Sequence, residues 1–346
     1  MNKYIHIGYP KNFSTSLQRD YFSKHPSIFH LGIGVDSNIG YQDSIIDKTC
    51  EVYLKTCKYY KYESVKKNII SHFENLFKTA NLNNKITGIS FEHFSFSFSY
   101  DSISTHQKAE RLSKIFGNNT KIIMIVRNQF DLIKSLYKEY VRIGFFGDFY
   151  SFIELIYKYQ DRNFVYDFRF DYVFNTYAEF FGEENIGVFF FENYRDKNCQ
   201  IVKEKGNIKL FKDLNEFLSI KNFTMELNHY NESLNSNKIL INVNKNKEQR
   251  HGFGNHLLEI SEKHRIKTYL EEDLRFFELE PKTYSDVLTK RKVIKETINE
   301  EQTIALNFDA DANIVKQLKS FYEEGNMIFE KLLSINLPKA YHNLKL

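Results

Sequence analysis

Short apolar runs alternate with amphipathic stretches along the first two thirds of the chain. Runs that are typical of buried strands occur at 4–9, 28–31, 86–92, 121–126 and 186–191. Between them, apolar residues recur at the spacing of one helix face at 16–22, 44–82, 106–116, 130–142 and 170–181. Strands that alternate with helices predict the α/β class, with a central parallel sheet flanked by helices.

The pattern changes at about Asn222. A polar stretch rich in Asn and Lys comes next, and several helical stretches with no strong strand follow, the last of them at 313–335. We therefore predict a single domain over 1–346, with an α/β core at 1–221 and a mostly helical C-terminal cover at 222–346.

The composition is that of a soluble globular protein. Hydrophobic residues make up 42% of the chain and charged residues 27%, which excludes disordered, collagen-like and disulfide-scaffold classes. Cys50, Cys57 and Cys199 are too few for a disulfide framework and lack the spacing of a zinc site, which favours a reducing compartment. Since we find no secretory leader, membrane span or metal cluster, we expect a cytoplasmic protein without a metal. The net charge of +4 does not predict a nucleic-acid partner.

The first predicted strand leads into a loop that carries one cation and three hydroxyl groups. The loop reads Tyr9-Pro10-Lys11-Asn12-Phe13-Ser14-Thr15-Ser16-Leu17 and precedes a predicted helix. Free N–H groups and the positive dipole end at a helix start bind anions, and Lys11 adds a full charge, so the junction fits a phosphate. It is not a Walker A motif, because the lysine precedes the hydroxyls and the loop has no glycine. An ordinary helix cap by Ser14 or Thr15 is the alternative.

A second pair of residues is spaced to meet one anion. Arg127 closes the clearest buried strand, and Ser135 follows eight positions later, about two turns into the next helix. The planar fork of an arginine can bind two phosphate oxygens at once. The alternatives are a surface ion pair for Arg127 and a hydrogen bond from Ser135 to its own helix backbone.

Taken together, the two motifs resemble those of the sulfotransferase family, which uses 3′-phosphoadenosine-5′-phosphosulfate (PAPS) as its donor. The family has Tyr-Pro-Lys-Ser-Gly-Thr-Thr after its first strand, and an Arg that closes a central strand with a Ser eight residues on. Further likenesses extend the resemblance over most of the chain: Phe180-Phe181-Gly182-Glu183-Glu184-Asn185-Ile186, Phe191-Glu192 and Phe321-Tyr322-Glu323-Glu324-Gly325-Asn326. Phe13 is a departure, since it stands where the family has its loop glycine.

The resemblance implies a fold like that of the P-loop NTPases and a role for each motif residue. Lys11 would stabilise the charge on the oxygen that bridges the phosphate and the sulfuryl group. The 5′-phosphate would be held by the hydroxyls of Ser14, Thr15 and Ser16, together with the loop amides that include those of Asn12 and Phe13. The 3′-phosphate would be bound by Arg127 and Ser135.

The same resemblance implies the reaction. A sulfuryl group would pass from PAPS to an acceptor hydroxyl, which leaves adenosine 3′,5′-bisphosphate as the product. The breadth of the family makes a carbohydrate or another small metabolite the expected acceptor. Two other functions stay open: a nucleotide-dependent kinase of related fold, and a binding protein that keeps the nucleotide pocket without catalysis.

A base is needed to take the proton of the acceptor hydroxyl, and the family places a His or Glu near the end of the third strand. Here that strand ends with Glu92 and His93, and alternation along a strand predicts that only one of them faces the cleft. We favour Glu92, with His30 and Asp36 as further candidates and a purely structural role for both Glu92 and His93 as the alternative. His6 is expected to be a core histidine.

One late segment is a candidate for closing over the donor or acceptor. The family often uses a basic loop near this point, and here the residues are 228–233 together with Arg250-His251-Gly252. An ordinary surface loop is the alternative.

Overall fold

A parallel sheet lies at the centre of the protein. The computed structural model describes residues 2–32, 42–57, 59–97, 102–142, 145–196, 200–204, 207–223, 236–248 and 306–346. Among these residues, five strands form the central sheet: β1 Lys3–His6, β2 Ile28–His30, β3 Ile86–Ser90, β4 Thr120–Val126 and β5 Ile186–Phe190. Their order is β2-β3-β1-β4-β5, and every pairing is parallel. The predicted α/β class with a central parallel sheet is confirmed.

The β4 strand is buried on both of its faces. Ile122, Met124 and Val126 belong to the larger of two hydrophobic cores, whereas Ile123 and Ile125 belong to the smaller one. A strand that is covered on both sides needs apolar residues at successive positions, and this explains its continuous apolar run. The covering helices lie on both faces of the sheet.

The helices are bounded as follows. They are α1 Ser14–Ser16, α2 Ser44–Lys48, α3 Tyr59–Leu82, α4 Thr105–Phe116, α5 Gln129–Arg142, α6 Phe149–Lys158, α7 Phe164–Asp167, α8 Phe170–Phe181, α9 Lys209–Phe217, α10 Ser236–Glu248 and α11 Ala312–Leu333. α1 continues as the π-helical segment Leu17–Phe22, and α2 continues as Thr49–Tyr53. None of the helices in the described ranges is both long and apolar enough to span a membrane.

The end of the chain is helical, as predicted, and α11 packs against α8. The Phe329 ring lies 5.9 Å from that of Phe174 on α8. Tyr322 is fully buried and donates a hydrogen bond of 3.1 Å to the carbonyl of Val165 in α7. α11 therefore covers one flank of the core. The division into a core at 1–221 and a cover at 222–346 stays a prediction.

Some elements differ from those that periodicity predicts. The helical stretch at 44–82 is broken between α2 and α3, and the break contains buried residues such as Leu54 and Cys57 in place of Gly or Pro. Because those residues are apolar, they continue the helical pattern through the break. The sequence analysis also missed α6, α7, α9, α10 and a short antiparallel hairpin of β6 Lys203–Glu204 and β7 Asn207–Ile208.

Candidate active site

The loop after β1 has an unusual backbone. Lys11 and Phe13 both have a positive φ, 61° and 63° respectively, in the left-handed region that non-glycine residues rarely adopt. Left-handed residues that alternate with residues of negative φ turn successive backbone N–H groups toward one side, which forms an anion-binding concavity. The alternation of Lys11, Asn12 and Phe13 is the pattern that such a concavity requires, and here it occurs without a glycine.

The side chain of Phe13 explains how the loop accommodates a large residue at this position. Its ring centroid lies 4.6 Å from that of Phe191, just beyond β5, and the Arg195 guanidinium lies 4.9 Å from the Phe13 ring. The ring also packs against the smaller hydrophobic core. Phe13 is therefore anchored on the β5 side of the loop.

Asn12 and Ser14 fasten the loop from within. Asn12 is fully buried, and its Nδ2 donates a hydrogen bond of 3.1 Å to the carbonyl of Ile125 in β4. The Ser14 hydroxyl donates to the carbonyl of Tyr9 at 3.2 Å. The cap position of α1 is Phe13, whose ring cannot accept a hydrogen bond from the helix N–H groups. Ser14 and Thr15 therefore do not cap α1 in the ordinary way.

Arg127 lies at the same edge of the sheet as the loop. β4 pairs with β1, so the carboxyl ends of the two strands are neighbours. The Arg127 Nη1 donates a long hydrogen bond of 3.5 Å to the carbonyl of Lys11, and its Nη2 lies 3.7 Å from Asp131 Oδ2. Its guanidinium also lies 4.8 Å from the Phe191 ring. The two sequence motifs therefore meet, although Arg127 also forms the ion pair that was the alternative.

Lys138 adds a cation that the sequence analysis missed. It lies on α5 three residues beyond Ser135, and burial together with the charge of Arg127 lowers the pKa of Lys138. Because each positive charge disfavours the other, an anion bound near both would relieve the repulsion. The signal in the sequence was the position of Lys138 three residues beyond Ser135 in the same predicted helix, which is close to one turn and places the two residues on one helix face. Lys138 therefore adds to the positive charge around Arg127, and Ser135 lies half-buried on the same helix.

The carboxylate of Glu139 lies within reach of Lys11. The Lys11 Nζ is 3.3 Å from Glu139 Oε2, and Arg142 also pairs with Glu139. Burial alone would raise the pKa of Glu139, but the hydrogen bond from Arg142 and the charge of Lys11 outweigh that effect, so the pKa lies below its ordinary value. An ionised acid thus lies beside the lysine of the loop.

The chain end holds the β4–α5 junction in place. The Asn128 side-chain oxygen accepts hydrogen bonds from the first N–H groups of α5, and the Asn128 N–H donates to Glu192 Oε1 at 2.9 Å. Glu192 Oε2 accepts a hydrogen bond of 2.9 Å from the Tyr341 hydroxyl. Burial raises the pKa of Glu192, although these hydrogen bonds oppose the shift. These contacts fix the residue next to Arg127.

Glu92 and His93 are placed differently from the prediction. β3 ends at Ser90, and Glu92–Phe94 form a 3₁₀ turn, so strand alternation does not separate the two side chains. The His93 ring stacks on Phe96 with a centroid distance of 5.2 Å. Because β3 is the other neighbour of β1, this turn lies at the same edge of the sheet as the loop.

The remaining histidine candidates are core residues. His6 is fully buried and hydrogen bonded to Ser90 Oγ at 2.7 Å, which confirms the expected core role. His30 is also buried, and it is hydrogen bonded to the Tyr4 hydroxyl at 2.7 Å. Burial lowers the pKa of each imidazole to about 3, so both are neutral at pH 7. Asp36, the segment 228–233 and Arg250-His251-Gly252 lie outside the described residues.

The site contains cations and hydrogen-bond donors for anions. Among the described residues, no group of three or more His, Cys, Asp or Glu side chains is arranged to hold a metal ion. The loop amides, Lys11, Arg127 and Lys138 can instead bind and neutralise phosphate or sulfate groups. The arrangement therefore favours the binding of an anionic ligand.

The fold is similar to that of a solved sulfotransferase from Alicyclobacillus acidocaldarius. The likeness covers 99% of this chain and 99% of that one, with a TM-score of 0.50 and 13% sequence identity. No protein-family model matches the sequence, and no curated protein is significantly similar to it. The comparison thus rests on structure, and the chain shares the fold of that sulfotransferase over almost its whole length.

Proposed function

We propose that the protein is a PAPS-dependent sulfotransferase that moves a sulfuryl group to an acceptor hydroxyl. The meeting of the Lys11 loop and Arg127 at one edge of the sheet carries this proposal. PAPS has a phosphosulfate at one end of its adenosine and a 3′-phosphate at the other. It therefore needs two neighbouring cationic sites, and the fold similarity to a sulfotransferase supports this use of them.

The chain's own donors fit both ends of the donor molecule. The backbone N–H groups from Asn12 to Ser16, with the hydroxyls of Ser14, Thr15 and Ser16, would bind the 5′-phosphate. Rotation of the Ser14 hydroxyl away from the Tyr9 carbonyl would free it for this role. Arg127 and Ser135 would bind the 3′-phosphate, and the charge of Lys138 strengthens that site.

Lys11 has the catalytic role in this proposal. Bound PAPS supplies the sulfuryl group and a bisphosphate leaving group. The Lys11 ammonium would lie at the bridging oxygen and stabilise the negative charge that grows there as the bond to sulfur breaks. Such charge stabilisation and the alignment of the reactants account for most of the catalysis in transfers of this kind.

The 3₁₀ turn after β3 would supply the base. Glu92 and His93 both belong to this turn, and it lies beside β1, from which the Lys11 loop extends. A base must lie within hydrogen-bond reach of the acceptor hydroxyl, so the acceptor would bind between the turn and the loop. Loss of transfer in Glu92→Gln with retention in His93→Gln would assign the base to Glu92, and the reverse would assign it to His93.

The acceptor would be a carbohydrate or another small hydroxyl compound, and the enzyme would act in the cytoplasm. Cys50 and Cys57 are buried in the larger core, and the expectation of a reducing compartment rests on the small number of cysteines in the chain.

The test is transfer of label from [³⁵S]PAPS to a panel of carbohydrate and small hydroxyl acceptors. The proposal expects labelled product and adenosine 3′,5′-bisphosphate from the wild type, and a large loss in Lys11→Ala. Lys114→Ala is the matched control, because this lysine pairs with Glu110 on α4, outside the site. Transfer of phosphate from magnesium–ATP would instead identify a kinase. Bisphosphate binding without transfer to any acceptor would identify a binding protein.

A further inference from the structure

The lysine that is proposed to act on the donor already has an anionic partner. The Lys11 Nζ lies 3.3 Å from Glu139 Oε2, and the two side chains are 37% and 19% exposed. Glu139 is on α5, one turn beyond Ser135, so it lies along the helix that would also bind the 3′-phosphate. The ammonium group that would bind the donor is thus already paired with a carboxylate.

The other oxygen of the same carboxylate has a partner of its own. Arg142 donates to Glu139 Oε1 from Nε at 2.8 Å and also from Nη2. Arg142 is three residues from Glu139 on the same helix, so this contact is local. Lys11, in contrast, reaches Glu139 from a different element. If Lys11 moves away, the carboxylate keeps a cationic partner, which lowers the cost of the exchange.

We propose that Glu139 is an internal counter-ion that holds Lys11 in the donor-free protein and gives it up when an anion enters the loop. Arg142 stays paired with the Glu139 carboxylate during this exchange. Lys11 is the more exposed partner of the pair, so a multiply charged ligand can reach its ammonium group and displace the carboxylate. Glu139 is therefore a positioning residue, which acts on the ligand through Lys11.

This inference rests on the proposed function only for the identity of the donor. The exchange of Lys11 between a carboxylate and an entering anion requires only an anion with two linked charged groups. Inorganic pyrophosphate is such a probe, and it resembles the phosphosulfate end of PAPS in having two tetrahedral anionic groups that share a bridging oxygen. Its binding can be measured without any acceptor, so the counter-ion role is tested separately from sulfuryl transfer.

The experiment is a calorimetric titration of the full chain with pyrophosphate in the absence of magnesium. It compares the wild type, Glu139→Gln, Lys11→Met and the double variant, which form a double-mutant cycle. The glutamine keeps the size of the side chain and an oxygen for Arg142. We expect Glu139→Gln to tighten pyrophosphate binding roughly threefold to fivefold. In the Lys11→Met background the same substitution should change binding less than about twofold.

Glu110→Gln is the charge-matched control. Glu110 pairs with Lys114 on α4, so its loss changes the net charge equally but frees no lysine at the loop. It should leave pyrophosphate affinity unchanged.

The possible outcomes separate the two hypotheses. Unchanged binding in Glu139→Gln would overturn the counter-ion role and leave the sulfotransferase proposal standing. Equal tightening in both backgrounds, or in Glu110→Gln, would also overturn it, because the effect would then come from general charge. Failure of both the wild type and Glu139→Gln to bind pyrophosphate would overturn the counter-ion role, and a titration of the same proteins with adenosine 3′,5′-bisphosphate would then decide the sulfotransferase proposal separately.

Discussion

The Arg127 guanidinium donates a hydrogen bond of 3.5 Å to the backbone carbonyl of Lys11, a residue 116 positions away in sequence. The contact exists because β1 and β4 are adjacent and parallel, so the loops that follow them leave the sheet side by side. A single ligand with charges at both ends could therefore contact both motifs. Four consequences of this arrangement and of its supporting structure can be measured.

Replacement of Lys11 by alanine separates catalysis from binding. Turnover with PAPS should fall by about 100-fold or more, because the stabilising charge acts mainly in the transition state. The affinity for adenosine 3′,5′-bisphosphate, which lacks the sulfuryl group, should change less than about threefold. Steady-state kinetics and calorimetry provide the two values. Losses of similar size in both would mean that Lys11 only binds.

Replacement of Arg127 by alanine removes a charged partner of the 3′-phosphate. Bisphosphate binding should weaken by roughly 2–4 kcal/mol, the usual cost of losing one member of a hydrogen-bonded charge pair. Calorimetry measures the change, and circular dichroism checks that the variant is folded. An unchanged affinity would move the 3′-phosphate to another site.

Phe13 offers a test of the loop conformation. Alanine and glycine both remove the ring that packs on Phe191, but only glycine adopts a φ of 63° without strain. Phe13→Gly should therefore be more stable than Phe13→Ala by about 1 kcal/mol in urea unfolding. An alanine variant at least as stable as the glycine variant would contradict the left-handed conformation.

The buried histidines predict a dependence of stability on pH. The pKa values of His6 and His30 are lowered to about 3 in the folded protein, so the unfolded chain takes up protons first as the pH falls. Their contribution to stability is complete above the ordinary histidine pKa and is lost between about pH 6.5 and pH 3. Each histidine adds about 1.4 kcal/mol per pH unit to the slope within that window.

Urea unfolding between pH 4 and pH 7 measures this slope. His30→Gln should reduce the slope of stability against pH by about 1.4 kcal/mol per pH unit relative to the wild type, which corresponds to one proton. Equal slopes for the wild type and His30→Gln would show that burial does not lower the pKa of His30.

The strands and the positions of the two motifs at their ends were predictable because their signals are local. β4 is a run of apolar residues. Arg127 follows it directly, and Ser135 lies about two turns into the next helix. The fold class followed from the alternation of such elements. The loop was identified by its cation and hydroxyls, although the sequence did not show that Phe13 would face Phe191.

The contacts that complete the site join residues far apart in sequence, and no local pattern encodes them. Glu139 on α5 contacts Lys11 in the loop after β1, and Tyr341 near the end of the chain contacts Glu192 just after β5. The end of β3 was misplaced for a different reason. Phe91 is apolar and buried, so it continues the strand pattern past Ser90, where the chain turns.

The central claim is that one adenosine bearing two phosphates contacts both motifs. The most direct measurement compares the affinities of the wild type for adenosine 3′,5′-bisphosphate and for adenosine 5′-monophosphate by calorimetry. Binding of the bisphosphate that is tighter by about tenfold or more, with the difference lost in Arg127→Ala, is the predicted result. Equal affinities for the two nucleotides, or no binding of the bisphosphate, would contradict the account.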